Sequence, residues 1–378
     1  MTTTTAPVSA RESDLLARAR ELAGRARGHT SPNPMVGGVV LRDGEVVGEG
    51  WHERAGEPHA EVNALRAAGE RARDATLVCT LEPCSHHGRT PPCTDALIRA
   101  GVARVVIGTM DPLEARRGRG ARVLAGAGID VAVAEGPEAD ACRELNAAFV
   151  TWAVTGRPLV TLKMATSLDG KVATAAGESQ WISGPESRAL VHRWRAESDA
   201  VAVGIGTALA DDPRLTARDL PGEVRQPLRV VFDSGGRLGG DSVLARTARE
   251  TSVVVVAGPR ASAGDLERAG VEVLRGPADP VERLGWALDQ LGTRGVLSLL
   301  VEGGAGIAAA LLAARAVDRI AWFVAPVLIG GTGAPGAVGD PGIARLADAP
   351  RLSDVSIERI GEDLLVTGRL KPLPHGGS

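Results

Sequence analysis

Pro58-His59-Ala60-Glu61 and, further along, Pro83-Cys84 and Cys93 supply residue types that can hold a metal and move a proton. One imidazole and two thiolates are a borderline-soft ligand set suited to zinc, and three protein ligands leave a tetrahedral ion one position for water. Such a site is catalytic rather than structural. Glu61, two residues past His59, reads as the group that carries protons to and from that water. The bland alternative, two ordinary buried thiols and a surface histidine, requires three separated elements to coincide by accident.

Positioning these groups falls to the elements around them. Residues 14–27 carry Leu15, Leu16, Ala19, Leu22 and Ala23 at helical spacing, which predicts an amphipathic first helix. Residues 35–41 and 45–51 read as strands joined by Arg42-Asp43-Gly44, a hairpin. Residues two apart on a helix do not share a face, so His59 and Glu61 can serve one ion only if His59 lies in the cap or first turn. Pro58 favours a helix start there. Residues 75–80 form a strand whose carboxyl end leads into Glu82-Pro83-Cys84, the end at which sheet proteins build sites. Strands at 103–110 and 129–135 and a helix over 138–154 complete a layered α/β domain.

A chain of 378 residues, 44% apolar, exceeds what one core usually serves. The expected division is a disordered tail over 1–13, one domain over 14–154 and a second over 159–378, after the Thr155-Gly156-Arg157-Pro158 break. A net charge of -3 and the absence of tyrosine argue against nucleic-acid and membrane partners and for a small-molecule substrate. The start lacks a basic stretch followed by an apolar core, and no apolar run suffices to span a bilayer. A cytoplasmic enzyme with reduced thiols is expected. Cys79 and Cys142, in apolar surroundings, read as core residues.

In the second half, residues 159–165 form a strand and 166–171 a turn. Four stretches look like site loops. Residues 177–183 surround Trp181 with polar groups. Residues 201–213 run from a strand into Gly204-Ile205-Gly206, with Leu209 where a dinucleotide fingerprint has its third glycine. Residues 228–237 end in Asp233, Ser234 and Arg237. Residues 296–307 pass through Glu302-Gly303-Gly304-Ala305-Gly306-Ile307 into a helix at 308–316. Glycines let backbone amides approach a diphosphate, whose charge the helix start stabilises; alternatively such turns simply close α/β corners. Asp233 alone suggests the ribose 2′-hydroxyl of NAD, whereas Ser234 and Arg237 suggest a 2′-phosphate. Lys163 either contacts substrate or pairs with Asp211 or Glu302.

The His-Ala-Glu and Pro-Cys elements resemble the zinc-dependent nucleobase and nucleoside deaminases, most of which use a Cys-x-x-Cys spacing. Here eight residues separate Cys84 from Cys93, and the insert Ser85-His86-His87-Gly88-Arg89-Thr90 is similar to the deaminase half of the bifunctional RibD family of riboflavin biosynthesis. Ser-Leu-Asp-Gly-Lys at 167–171, Gly-Glu-Ser-Gln-Trp-Ile at 177–182 and Leu-Ala-Asp-Asp-Pro-Arg-Leu-Thr at 209–216 resemble its reductase half. The resemblance implies a cytidine-deaminase-like α/β/α layered domain followed by a dihydrofolate-reductase-like α/β domain. It implies one zinc on His59, Cys84 and Cys93, with Glu61 as acid/base and substrate contacts at Asn33, His52, His86 and Arg89. For the reductase it implies substrate contacts at Ser179, Arg195, Leu215, Arg218 and Glu302. NADPH would meet Ala165, Trp181, Thr207, Asp211, Ser234 and 304–310, including Gly304, Ala305, Gly306 and Ile307. Arg195 and Arg218 are the expected phosphate clamp, and Lys163 an added catalytic contact.

The implied reactions are deamination of 2,5-diamino-6-ribosylamino-4(3H)-pyrimidinone 5′-phosphate and NADPH-dependent reduction of its ribosyl to a ribityl side chain, in a self-associating protein. Leu113 departs from the family, which has asparagine after Asp111-Pro112. It keeps open a paralogue acting on a related purine- or pyrimidine-derived metabolite. A zinc-stabilised binding scaffold is the non-enzymatic rival, and a nucleic-acid deaminase has no use for the second half.

Overall fold

The computed structural model describes residues 7–88 and 90–374. The chain divides into two compact units, Met1–Thr155 with Leu373–Ser378, and Gly156–Pro372.

In the first unit, α1 (Ala10–Gly24) leads to β1 (Gly37–Arg42), β2 (Glu45–Trp51), α2 (Ala60–Ala68), β3 (Thr76–Cys79), α3 (Cys93–Ala100), β4 (Arg104–Ile107), α4 (Arg119–Gly126), β5 (Asp130–Val133), α5 (Gly136–Leu145) and α6 (Ala147–Thr155). The sheet order is β2-β1-β3-β4-β5, with β1 antiparallel to both neighbours and β3, β4 and β5 parallel. Alternation along each strand sorts side chains to two faces. Val39, Val78, Val106 and Ala132 pack with Leu16 of α1 and Cys142 of α5. Val40, Leu77, Val105 and Val131 pack with Ala64 of α2, Leu97 of α3 and Leu124 of α4. Helices therefore cover both faces. Gly37 permits the closest of these approaches, since a Cβ there would run into the Ala19 carbonyl of α1.

Two expectations change here. The tail expected over 1–13 is helical from Ala10, because Ser9 and Glu12 form a capping box: Glu12 accepts the Ser9 N–H at 2.8 Å and Ser9 Oγ accepts the Glu12 N–H at 3.3 Å. Residues 1–6 lie outside the described residues. The helix expected over 138–154 is two helices, broken at Asn146. Its amide accepts the Met35 N–H at 2.7 Å and donates to the Met35 carbonyl at 2.8 Å. Asparagine is a weak helix former, and its side chain is tied here to another segment, so the chain turns at this point.

The second unit comprises β6 (Leu159–Ser167), α7 (Pro185–Glu197), β7 (Ala200–Gly204), α8 (Ile205–Asp211), β8 (Leu228–Asp233), α9 (Val243–Arg246), β9 (Val253–Ala257), α10 (Gly264–Ala269), β10 (Glu272–Arg275), α11 (Pro280–Thr293), β11 (Ser298–Glu302), α12 (Ala305–Ala313), β12 (Arg319–Ala325), β13 (Ser353–Ile360) and β14 (Asp363–Arg369). Its sheet runs β10-β9-β8-β7-β11-β6-β12-β14-β13. The strands from β10 to β12 in that order are parallel, and the β13–β14 hairpin joins antiparallel. The largely apolar runs of β7 to β9 suit strands covered on both faces. Leu162, Val230 and Val254 pack with Leu284 and Leu288 of α11 and Leu311 of α12, while Val201, Val231 and Val255 pack with Leu244 of α9 and Leu266 of α10. Lys163 is in mid-strand, because β6 continues to Ser167, and it pairs in register with Glu302 at the end of β11. No described helix is long and apolar enough to cross a membrane.

Candidate active sites

His59 is the N-cap of α2 and Glu61 stands in its first turn, the arrangement that lets residues two apart face one point. Cys84 lies in the loop after β3, and Cys93 is the first residue of α3. His59 Nδ1 is 3.2 Å from Cys93 Sγ and 3.6 Å from Cys84 Sγ, and the three ligand atoms all fall within 4.8 Å of one another. Bonds of about 2.0–2.3 Å in a tetrahedron separate ligand atoms by ~3.5 Å, so this donor set fits zinc.

Charge is already organised at the cluster. The Cys93 N–H, at the start of α3, points at Cys84 Sγ from 3.3 Å. Hydrogen bonds from the Cys93 thiol and His59 hold the Cys84 thiol down to about 4, against the opposing effect of burial. Cys93, donating to that charged sulfur and itself buried, is held above its ordinary value. Glu61 is 3% exposed. Burial first, and then the Cys84 charge, push its carboxyl up to about 7, where a group can both take and return a proton at neutral pH.

His52 is buried beside His59, edge to face, with ring centroids 5.2 Å apart. Its Nδ1 lies 3.2 Å from the Pro58 carbonyl and its Nε2 lies 3.1 Å from Asn33 Nδ2. A carbonyl only accepts, so Nδ1 carries the proton and Nε2 accepts from Asn33; burial favours this neutral ring. A cavity of about 370 Å³ is bordered by Asn33, His52, His59, Glu61, Cys84 and His86, and by Leu113 and Arg116. Arg89 lies outside the described residues. Phe149 and Trp152 also border this cavity. In the sequence they look like one packing face of a long helix; the break at Asn146 is what starts the short helix that carries them.

In the second unit, Ser234, Thr207, Gly304 and Ala165 gather at the carboxyl ends of four adjacent strands, β8, β7, β11 and β6. Gly304 caps α12, and a Cβ on it would lie 2.8 Å from Thr207 Oγ1. Glycine thus keeps open a cradle in front of the first N–H groups of α12, which fits a dinucleotide diphosphate. Ser179 Oγ donates to Asp211 Oδ1 at 3.2 Å, tying the Trp181 loop to α8. Trp181 is exposed, with the Arg188 guanidinium 4.7 Å from its ring centroid.

Several sequence-based assignments change. Arg195 and Glu302 form a bidentate pair at 2.5 and 2.8 Å, both side chains 12% exposed, and Arg195 also donates to the Thr216 carbonyl at 3.1 Å. Three of the five Arg195 N–H donors are thus used within the protein, and Arg218, 46% exposed, is the more open half of the expected phosphate clamp. Burial opposes the Glu302 charge, but Arg195 and Lys163 outweigh it and hold the carboxyl below its usual range. Among the described residues Lys163 forms no ion pair with Asp211 or Glu302: it stands in register beside Glu302, with its Nζ 5.8 Å from the Phe323 ring centroid. The Leu215 side chain is buried in the core, so its main chain is what it can offer a ligand. Asp233 is fully buried and accepts the Leu238 N–H at 2.8 Å. It folds the loop that carries Ser234, which removes the argument for NAD. The cation at Ser234 is Arg283, 5% exposed, whose guanidinium donates to Ser234 Oγ at 2.6 Å; Arg237 is exposed.

A His-Cys-Cys cluster beside a buried glutamate, and a glycine-lined cradle at parallel strand ends, define a zinc hydrolase of the deaminase class joined to a nucleotide-dependent reductase. Residues 9–109 match the cytidine and deoxycytidylate deaminase zinc-binding region, and residues 158–366 match the RibD C-terminal domain. The chain is 42% identical over 348 residues to riboflavin biosynthesis protein RibD of Aquifex aeolicus, covering 92% of this chain and 95% of that protein. It is 44% identical over 364 residues to RibD of Escherichia coli, covering 92% and 96%. Among solved structures, form 1 of Acinetobacter baumannii RibD superposes with a TM-score of 0.85 at 38% identity, covering 95% of this chain and 98% of that one. A diaminohydroxyphosphoribosylaminopyrimidine deaminase/5-amino-6-(5-phosphoribosylamino)uracil reductase from Thermotoga maritima does so with 0.83 at 34%, with the same coverage. The chain belongs to the RibD family.

Proposed function

We propose that the first unit deaminates a diaminopyrimidinone ribonucleotide 5′-phosphate and that the second reduces the product's ribosylamino side chain to ribitylamino with NADPH, two steps toward riboflavin. The observation that carries this reading is the convergence of His59, Cys84 and Cys93 within 4.8 Å, beside a glutamate that is 3% exposed. His59, Cys84 and Cys93 would hold a zinc ion, which supplies a hydrolytic nucleophile at neutral pH. Glu61 would carry the two protons of the attacking water in turn, the first to the ring nitrogen and the second to the departing ammonia. Asn33, His52 and His86 orient the pyrimidinone, and Arg89 meets the phosphorylated ribose.

NADPH, when bound, supplies the hydride. Thr207 and Gly304, Ala305, Gly306 and Ile307 border its diphosphate, Ala165, Trp181 and Asp211 its remaining length, and Ser234 with Arg283 its 2′-phosphate. Ser179, Arg218 and the Leu215 main chain contact substrate. The Arg195–Glu302 pair and Lys163 form the charged floor below it. We assign the deaminase to the segment from α1 to residue 154 and the reductase to 159 onward, in a cytoplasmic homo-oligomer.

The test supplies the diaminopyrimidinone phosphate with and without NADPH and follows ammonia and cofactor. Ammonia should appear without NADPH. Glu61→Gln should slow its release about 10²–10⁴-fold, keep about one zinc per chain and still oxidise NADPH on the deaminated compound. Wild-type ammonia release by that variant removes Glu61 from its role, and zinc-free active protein removes the metal. NADPH oxidation indifferent to the pyrimidine refutes the reductase half.

A further inference from the structure

We infer that Arg116 anchors the 5′-phosphate of the deaminase substrate, in an anionic subsite built on the loop between β4 and α4. The inference rests on the deaminase reading above. Two cavities meet at Cys84, His86 and Asp111: the one over the zinc ligands, and a second of about 640 Å³. Arg116 lines both, and Arg119 and Arg122 join it in the second. Among the described residues, none of these three arginines is in an ion pair.

The loop that carries Arg116 is not loose. Glu82, 6% exposed and two residues before Cys84, accepts the N–H groups of Asp111 at 3.2 Å, Gly118 at 2.9 Å and Ala121 at 3.2 Å. That latch ties the loop to the chain segment of a zinc ligand. It also occupies the Glu82 carboxylate with backbone donors rather than with the arginines. Asp111 accepts the Leu113 N–H at 2.9 Å, and the Arg116 charge also acts on its carboxyl, short of an ion pair. Leu113 borders the zinc-side cavity with a side chain that has no polar atom, and Asp111 is an acid, so the loop's cationic contact with a ligand there falls to Arg116. A planar guanidinium recognises phosphate oxygens in pairs, and the substrate ends in a phosphate.

Ammonia release by the full zinc-loaded chain is measured with the 5′-phosphorylated substrate and with its dephosphorylated nucleoside. Arg116→Ala should raise KM for the phosphorylated compound about 10- to 100-fold. Its kcat should stay within about twofold, as should kcat/KM for the nucleoside. Arg116→Lys should recover part of the loss. Inorganic phosphate should compete with the phosphorylated substrate, and about tenfold more weakly in Arg116→Ala. An unchanged KM overturns the inference. An equal loss on both compounds also overturns it, because it makes Arg116 a structural residue. If the wild-type chain deaminates neither compound, the deaminase reading fails and this inference with it.

Discussion

Asn146→Ala offers a direct test of how the first active site is held. The side chain is 3% exposed and makes two hydrogen bonds to the backbone of Met35, at 2.7 and 2.8 Å. Truncation leaves an N–H and a carbonyl without partners, at ~1–3 kcal/mol each, so the first unit should lose about 2–6 kcal/mol. Met35 is half-buried, and water reaching it favours the lower end. For a unit of this size each kcal/mol moves Tm by about 2–4 °C, so calorimetry should show its transition falling by about 4–24 °C. Met35 stands two residues after Asn33, the partner of His52. KM for deamination should therefore rise while KM for the reductase reaction holds. A Tm for Asn146→Ala within about 1 °C of wild type would refute the clamp.

Two further outcomes follow from close packing and from charge. Gly120→Ala places a methyl group against the Pro83 carbonyl and 3.3 Å from Glu82 Cγ. It should cost about 1–3 kcal/mol, seen as a lower urea midpoint at unchanged slope, together with slower ammonia release; an unshifted midpoint contradicts the packing described. Glu302 has its pKa held below the ordinary 4.5 in the folded chain. Its pair with Arg195 therefore contributes stability fully above that value and loses it as pH falls through the lowered folded value. The Tm difference between wild type and Glu302→Gln should be constant from pH 7 to about pH 5 and shrink on further acidification. A difference that grows with acid would reverse the sign of the shift.

The sequence by itself determined the ligand types of the metal cluster and the turn before α12, because each of these signals is local. A proline before the His59 cap, a strand running into Pro83-Cys84 and a glycine pair before α12 state ligand type and backbone direction within a few residues. Helix and strand periodicity likewise sufficed for the layered α/β class. What stayed hidden are contacts between distant segments. Asn146 reaches a partner 111 residues away, and Arg195 and Glu302 are 107 apart. Arg283 meets Ser234 only because α11 packs against the sheet containing β8. A buried Asp233 and an exposed one are spelled alike. Arg195 could pair with a phosphate or a carboxylate as far as the chain shows. Seating β11 between β7 and β6 brings Glu302 alongside Lys163, and packing then decides which cation each carboxylate meets.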